Sequence, residues 1–164
     1  MNRLVATKSA DSKFHNIHAL GFASYVGAVR SLLMSSQRSA AIVTPFMDES
    51  GLTLLCDAWD ASPKRDRTWS IFIRNVDGEL AAEARKRDWR LYSYEQSPKS
   101  DNGHGLHAKL VSIDGRRAVI GSMNLIERNL HSNLELGVEF EDPNMLWRIG
   151  RLVRAFSRVC DPVE

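Results

Sequence analysis

Cysteine is scarce: the 164 residues hold two, Cys56 and Cys160. That excludes a disulfide-stapled miniprotein, and no CxxC or Cys/His spacing offers a zinc site. Proline is equally sparse, at five residues, and there is no low-complexity tract, which argues against long disorder. No window approaches the roughly 18 apolar residues of a membrane span. Met1 to Asp11 has no apolar run of the signal-peptide kind. Charge of one sign is lacking too. Against 22 Lys and Arg stand 20 Asp and Glu, a net charge of +2. That is too small to identify a polyanion partner from bulk charge. These absences predict a reduced, cytoplasmic protein with no stable membrane association. The length predicts one domain, because two halves would each sit near the lower limit for a self-sufficient core.

What is present is a patterned hydrophobic set, 43% of the chain. Residues 1–18 are polar and mixed and are expected to form a lead-in, with the domain spanning 19–164. Leu20, Phe22, Ala23, Val26, Val29, Leu32 and Leu33 recur at three and four, predicting a helix from Ala19 to Met34. Ala40–Phe46 is short and β-branched and predicts a buried strand. Asp48–Ala61 is expected to be a helix capped by Asp48 or Ser50. Thr68–Arg74, Trp89–Tyr94 and Leu134–Phe140 predict strands, Gly78–Arg87 a helix, and Gln96–Gly105 a loop. Leu106–Ile113, Asp114-Gly115 and Arg116–Ile120 predict a hairpin. Pro143 opens a last helix to about Val159, with Leu146, Ile149, Leu152, Val153 and Phe156 inward. The alternation predicts an α/β domain, a mixed central sheet of about six or seven strands flanked by helices.

The chemistry concentrates between Gly105 and Asn124. Residues two apart on a strand share a face, so His107 and Lys109 are expected to point the same way. The hairpin then returns Gly121, Ser122 and Asn124 toward them. An imidazole, a fixed cation, a hydroxyl and a carboxamide suit a phosphate oxyanion: Lys neutralises charge, Asn and Ser donate, and His attacks or carries a proton. Each element alone is more often a surface pair or a turn. Their joint spacing, His107, Lys109, Asp114, Gly121, Ser122 and Asn124, shifts that balance.

This spacing resembles the HKD motif of the phospholipase D superfamily, and the order of strands and helices resembles its single-motif members. The stretch around His107–Gly137 also resembles the phospholipase-D-like component of DISARM phage-defence systems. The resemblance implies a phospholipase D/nuclease-like single domain that needs no metal or cofactor. It implies that His107 forms a covalent phosphohistidine, that Lys109 and Asn124 bind non-bridging oxygens, and that Glu135 hydrogen-bonds the catalytic imidazole. Ser122 is expected at the site edge. Asp114, at the hairpin turn, is expected to be more structural than catalytic. The resemblance implies two motifs per site and the chain has one, so a homodimer with a composite site is expected.

Other features have weaker readings. His104 could touch substrate or be a solvated loop residue. Arg148, Arg151, Arg154 and Arg158 could follow a nucleic-acid backbone or form an ordinary solvated face. Lys64, Arg65, Arg67, Arg85, Lys86, Arg87 and Arg90 form two basic clusters around Trp69 and Trp89, which are expected in the core. Three functions compete: a nuclease acting on DNA or RNA, a phospholipid hydrolase, and a nucleic-acid-binding subunit working with defence-system partner proteins.

Overall fold

The computed structural model describes residues 2–7, 21–62, 66–94 and 106–163. The described strands are β1 (Arg3–Ala6), β2 (Ala23–Ser24), β3 (Ser39–Val43), β4 (Thr68–Ile73), β5 (Arg90–Ser93), β6 (Leu110–Ile113), β7 (Arg117–Gly121), β8 (Leu136–Phe140) and β9 (Asp161–Val163). The helices are α1 (Tyr25–Ser35), α2 (Glu49–Asp60), α3 (Gly78–Arg87), α4 (Glu127–His131) and α5 (Pro143–Val159). The strands form one mixed sheet in the order β2-β1-β8-β7-β6-β3-β4-β5-β9. The expected α/β architecture holds, with nine strands among the described residues instead of six or seven.

Apolar layers cover both faces. On one, Val29, Leu32 and Leu33 of α1 and Leu52 and Leu55 of α2 pack with Ile42, Ile71 and Val119. On the other, Leu146 and Ile149 of α5 pack with Val43, Phe72, Leu110 and Ala118. Trp69 and Trp89 are buried in the first layer, beside half-buried Trp59.

Where a cap is written in the sequence, the helix starts as expected. Asp48 accepts the Ser50 and Gly51 amides at 3.1 and 3.2 Å. Asp77 accepts the Leu80 amide at 2.8 Å, and Asp142 the Met145 amide at 2.8 Å. The first helix differs from expectation. It begins at Tyr25, because Ser24 caps the Gly27 amide at 3.0 Å and Ala23–Ser24 is spent on β2. Ala19 and Leu20 lie outside the described residues, as does the whole of the Gln96–Gly105 loop. Arg3–Ala6, in the stretch expected as lead-in, pairs with β8 from Arg3↔Glu139 to Ala6↔Leu136. Leu152, expected inward, is 44% exposed. The hairpin forms, but its first strand begins at Leu110, so His107 and Lys109 stand on the approach to β6.

Candidate active site

The β6–β7 hairpin has a built-in anchor at its turn. Asp114 and Gly115 both have positive φ, 53° and 65°, which suits Asp and Gly. The Asp114 carboxylate accepts the backbone amides of Gln37, Arg38 and Ser39, each at 2.8 Å. Burial works to raise its pKa. The three amides and the nearby Arg116 charge outweigh burial and hold it below the ordinary carboxylate value. These bonds tie the hairpin turn to the start of β3. Asp114 therefore sits at the far end of the strand from His107, about 20 Å away at the usual rise per residue, and the fold does not bring it to the other motif residues.

At the opposite end the chain collects the rest. The Gly121 amide donates to the Lys109 carbonyl at 3.3 Å, joining the two strands just short of His107. Lys109 donates through Nζ to the His107 carbonyl at 2.8 Å. His107 is exposed, and among the described residues its imidazole has no hydrogen-bond partner. It lines an open cleft of about 370 Å³ with Tyr94, Leu106, Ala108, Phe156 and Val159.

Asn124 is placed by backbone clamps from the β3–α2 connection. Leu125 N donates to Thr44 Oγ1 at 3.4 Å, Asp48 N to the Leu125 carbonyl at 3.1 Å, and Glu127 N to Asp48 Oδ2 at 2.8 Å. Gly51 packs its α-carbon against the Leu125 backbone, where a Cβ would collide with the carbonyl. The Asn124 Oδ1 ends buried without a partner among the described residues. A buried, unpaired polar atom of this kind costs about 1–3 kcal/mol.

Ser122 and Glu135 form the floor. The Ser122 hydroxyl donates to Glu135 and accepts the Leu136 amide at 3.1 Å. Buried Glu135 also accepts from Asn129 Nδ2 and, at 3.4 Å, from Asn133 Nδ2. Its own amide donates to Thr7 Oγ1 at 2.7 Å, and Thr7 donates that hydroxyl to the Asn133 carbonyl at 2.6 Å. The partners of the Glu135 carboxylate are thus Ser122, Asn129 and Asn133, and no hydrogen bond joins it to His107. Sequence reasoning missed Thr7, Asn129 and Asn133 as its companions: Thr7 lies 128 positions away in the chain, and nothing in a local pattern signals it.

Tyr25 was missed as well. Its ring lies over Gly137 and its hydroxyl over Gly121, the facing pair of β7 and β8, where a Cβ on either glycine would collide with it. Burial drives the Tyr25 phenol well above its ordinary pKa. The Met123 backbone opposes the rise and the Glu135 charge adds to it, so the ring is a neutral support beneath the Gly121–Asn124 turn.

The remaining candidates separate. His104, Lys64 and Arg65 lie outside the described residues. Arg67 is buried, its guanidinium stacked 4.1 Å from the Trp59 ring centroid. Arg87 pairs with Glu83 and with Asp60, the latter at 2.9 Å. These two cations belong to the packing around Trp59, Trp69 and Trp89. Arg148, Arg151, Arg154 and Arg158 are exposed along α5, with Arg151 5.0 Å over Trp147.

The mixed sheet thus carries the His107–Lys109 segment and the Gly121–Asn124 turn to the same end of the hairpin. A family model described as "Cardiolipin synthase, PLD-like domain" matches residues 29–158, and the chain belongs to that phospholipase-D-like family. No curated protein sequence matches it. Among solved structures it is similar to NucT from Helicobacter pylori, with TM-score 0.72 at 14% identity over 99% of both chains. It is also similar to the phospholipase D family member Nuc from Salmonella typhimurium, with TM-score 0.69 at 13% identity over 100% of this chain and 98% of that one. Phosphatidylserine synthase from Haemophilus influenzae matches with TM-score 0.65 at 13% identity over 99% of this chain and 39% of that one.

Proposed function

We propose that the chain is a nuclease that cleaves nucleic-acid phosphodiester bonds as a homodimer with one composite site. The observation that supports this is the solvent-open His107 beside Lys109, whose backbone carbonyl meets Gly121 at the start of the turn that bears Asn124. The His107 imidazole of one subunit attacks phosphorus. An N–P bond forms as the bond to the leaving oxygen breaks, and the partner subunit's His107 gives that oxygen its proton. Water, deprotonated by the same second imidazole, then attacks phosphorus, breaks the N–P bond and frees the phosphomonoester. Lys109 and Asn124 from both subunits hold the non-bridging oxygens where negative charge develops. Ser122 and Glu135 position the turn that presents Asn124.

The fold shared with NucT and Nuc over nearly the whole of each chain supports the nuclease reading. The family description favours a second reading, phospholipid headgroup chemistry. Against it, no helix among the described residues is long and apolar enough to cross a membrane, and the lipid synthase matches over only 39% of its length. A panel of single- and double-stranded DNA and RNA with EDTA present is the test. Cleavage lost in His107→Ala is expected; cleavage that survives the substitution refutes the reading. Headgroup release from vesicles without nucleic-acid cleavage would establish the second.

A further inference from the structure

Phe46 is 45% exposed, although its neighbours Thr44 and Pro45 are buried. Its position follows from the sheet. Val43, three residues before Phe46, pairs with Leu110, three residues after His107, so both segments leave the sheet at the same end. The Met47–Leu125 bridge fixes the segment from the other side, one residue past Phe46 and one past Asn124. On the next strand out, the Arg74 amide donates to the Pro45 carbonyl at 3.4 Å, and the Arg74 guanidinium lies 5.5 Å from the Phe46 ring centroid. Arg74 has no acidic partner among the described residues. The strands β6, β3 and β4 are neighbours about 4.8 Å apart in the sheet, and the segments adjoining them at this end carry His107, Phe46 and Arg74.

We propose that Phe46 and Arg74 form a nucleotide subsite beside the scissile phosphate, Phe46 stacking on the adjacent base and Arg74 taking the next phosphate. This rests on the nuclease reading and deepens it. The cation holds the ring on one side and leaves its exposed side free, which is the arrangement for stacking an unpaired base. An unpaired guanidinium one strand further out is a phosphate contact without sequence preference. A base is reachable this way only when it is not paired in a duplex, so the substrate class is single-stranded nucleic acid.

The test is fluorescence anisotropy of the full-length His107→Ala chain. One probe is a labelled single-stranded thymidine oligomer; the other is an abasic oligomer of equal length and charge. The base-bearing oligomer is expected to bind about tenfold more tightly. Phe46→Ala removes that difference and Phe46→Trp keeps it. Arg74→Gln weakens both oligomers alike and lowers the salt slope by about one. Equal affinity for the two oligomers with Phe46 intact overturns the subsite, as does a preference that survives Phe46→Ala. Vesicle binding that depends on Phe46, with no oligomer preference, overturns it in favour of a lipid surface. His107-dependent cleavage of bis(4-nitrophenyl) phosphate tests the catalytic reading separately: the diester cut with no oligomer preference sinks the subsite alone.

Discussion

Gly121 and Gly137 face each other across β7 and β8, with Tyr25 closing over both. A methyl group at Gly121 meets the Leu136 carbonyl and the Tyr25 hydroxyl at once. Gly121→Ala is therefore expected to destabilise by about 1–3 kcal/mol and to move the turn that bears Asn124, so urea denaturation and kcat should fall together. Tyr25→Phe keeps the ring and loses only the hydroxyl; it should leave the fold intact and cost far less activity. Ser122→Ala strips one hydroxyl from buried Glu135, and about 1–3 kcal/mol of stability should go with it. Asp114 answers to acid. Its pKa is lower folded than unfolded, so its stabilisation is complete above the ordinary carboxylate value and fades as pH falls through the lowered one. The stability gap between wild type and Asp114→Asn in urea should be constant from about pH 7 to 5 and shrink below about pH 4. The aryl diester should still be cleaved by Asp114→Asn, since the carboxylate sits at the other end of the strand.

Elements that announce their own ends were legible. Asp48, Asp77 and the Asp142-Pro143 pair mark helix starts chemically, and α2, α3 and α5 begin within a residue of where those caps place them. The hairpin was legible for the same reason, through Asp114-Gly115. Four-residue β1 and five-residue α4 were not: neither is long enough to show a period, and β1 is held by pairing with β8 and β2, both distant in sequence. The site divides in the same way. The spacing of the motif is local and could be read directly. Asn129 and Asn133 lie within six residues of Glu135, but no period or cap marks them as its partners; the support of Glu135 by Thr7, and of Gly121 by Tyr25, comes from elements that meet only in the folded sheet. Truncation of residues 2–7 is thus expected to do more than trim an end. It removes fully buried Val5 and Ala6 and the Thr7 bonds to Glu135, and thermal unfolding should show a lower Tm with catalysis lost alongside.

For the whole molecule, the decisive quantity is how many imidazoles one reaction needs. If each site takes His107 from two subunits, a heterodimer of wild type and His107→Ala is dead. Random reassociation of equal amounts should leave about one quarter of the wild-type activity, where independent sites would leave about half. Sedimentation should show the dimer as the active species, and an active monomer would remove the composite site from consideration. The pairing of Arg3–Ala6 with Leu136–Phe140 has a consequence in time as well. Strands so distant in sequence close late and slowly. During synthesis the first strand emerges and waits while more than a hundred further residues are made. Until β8 arrives, neither Thr7 nor Ser122 has Glu135 to meet, and the turn bearing Asn124 is not set. The order of synthesis thus makes the turn the last part of the hairpin end to be fixed, after β1 and β8 have paired.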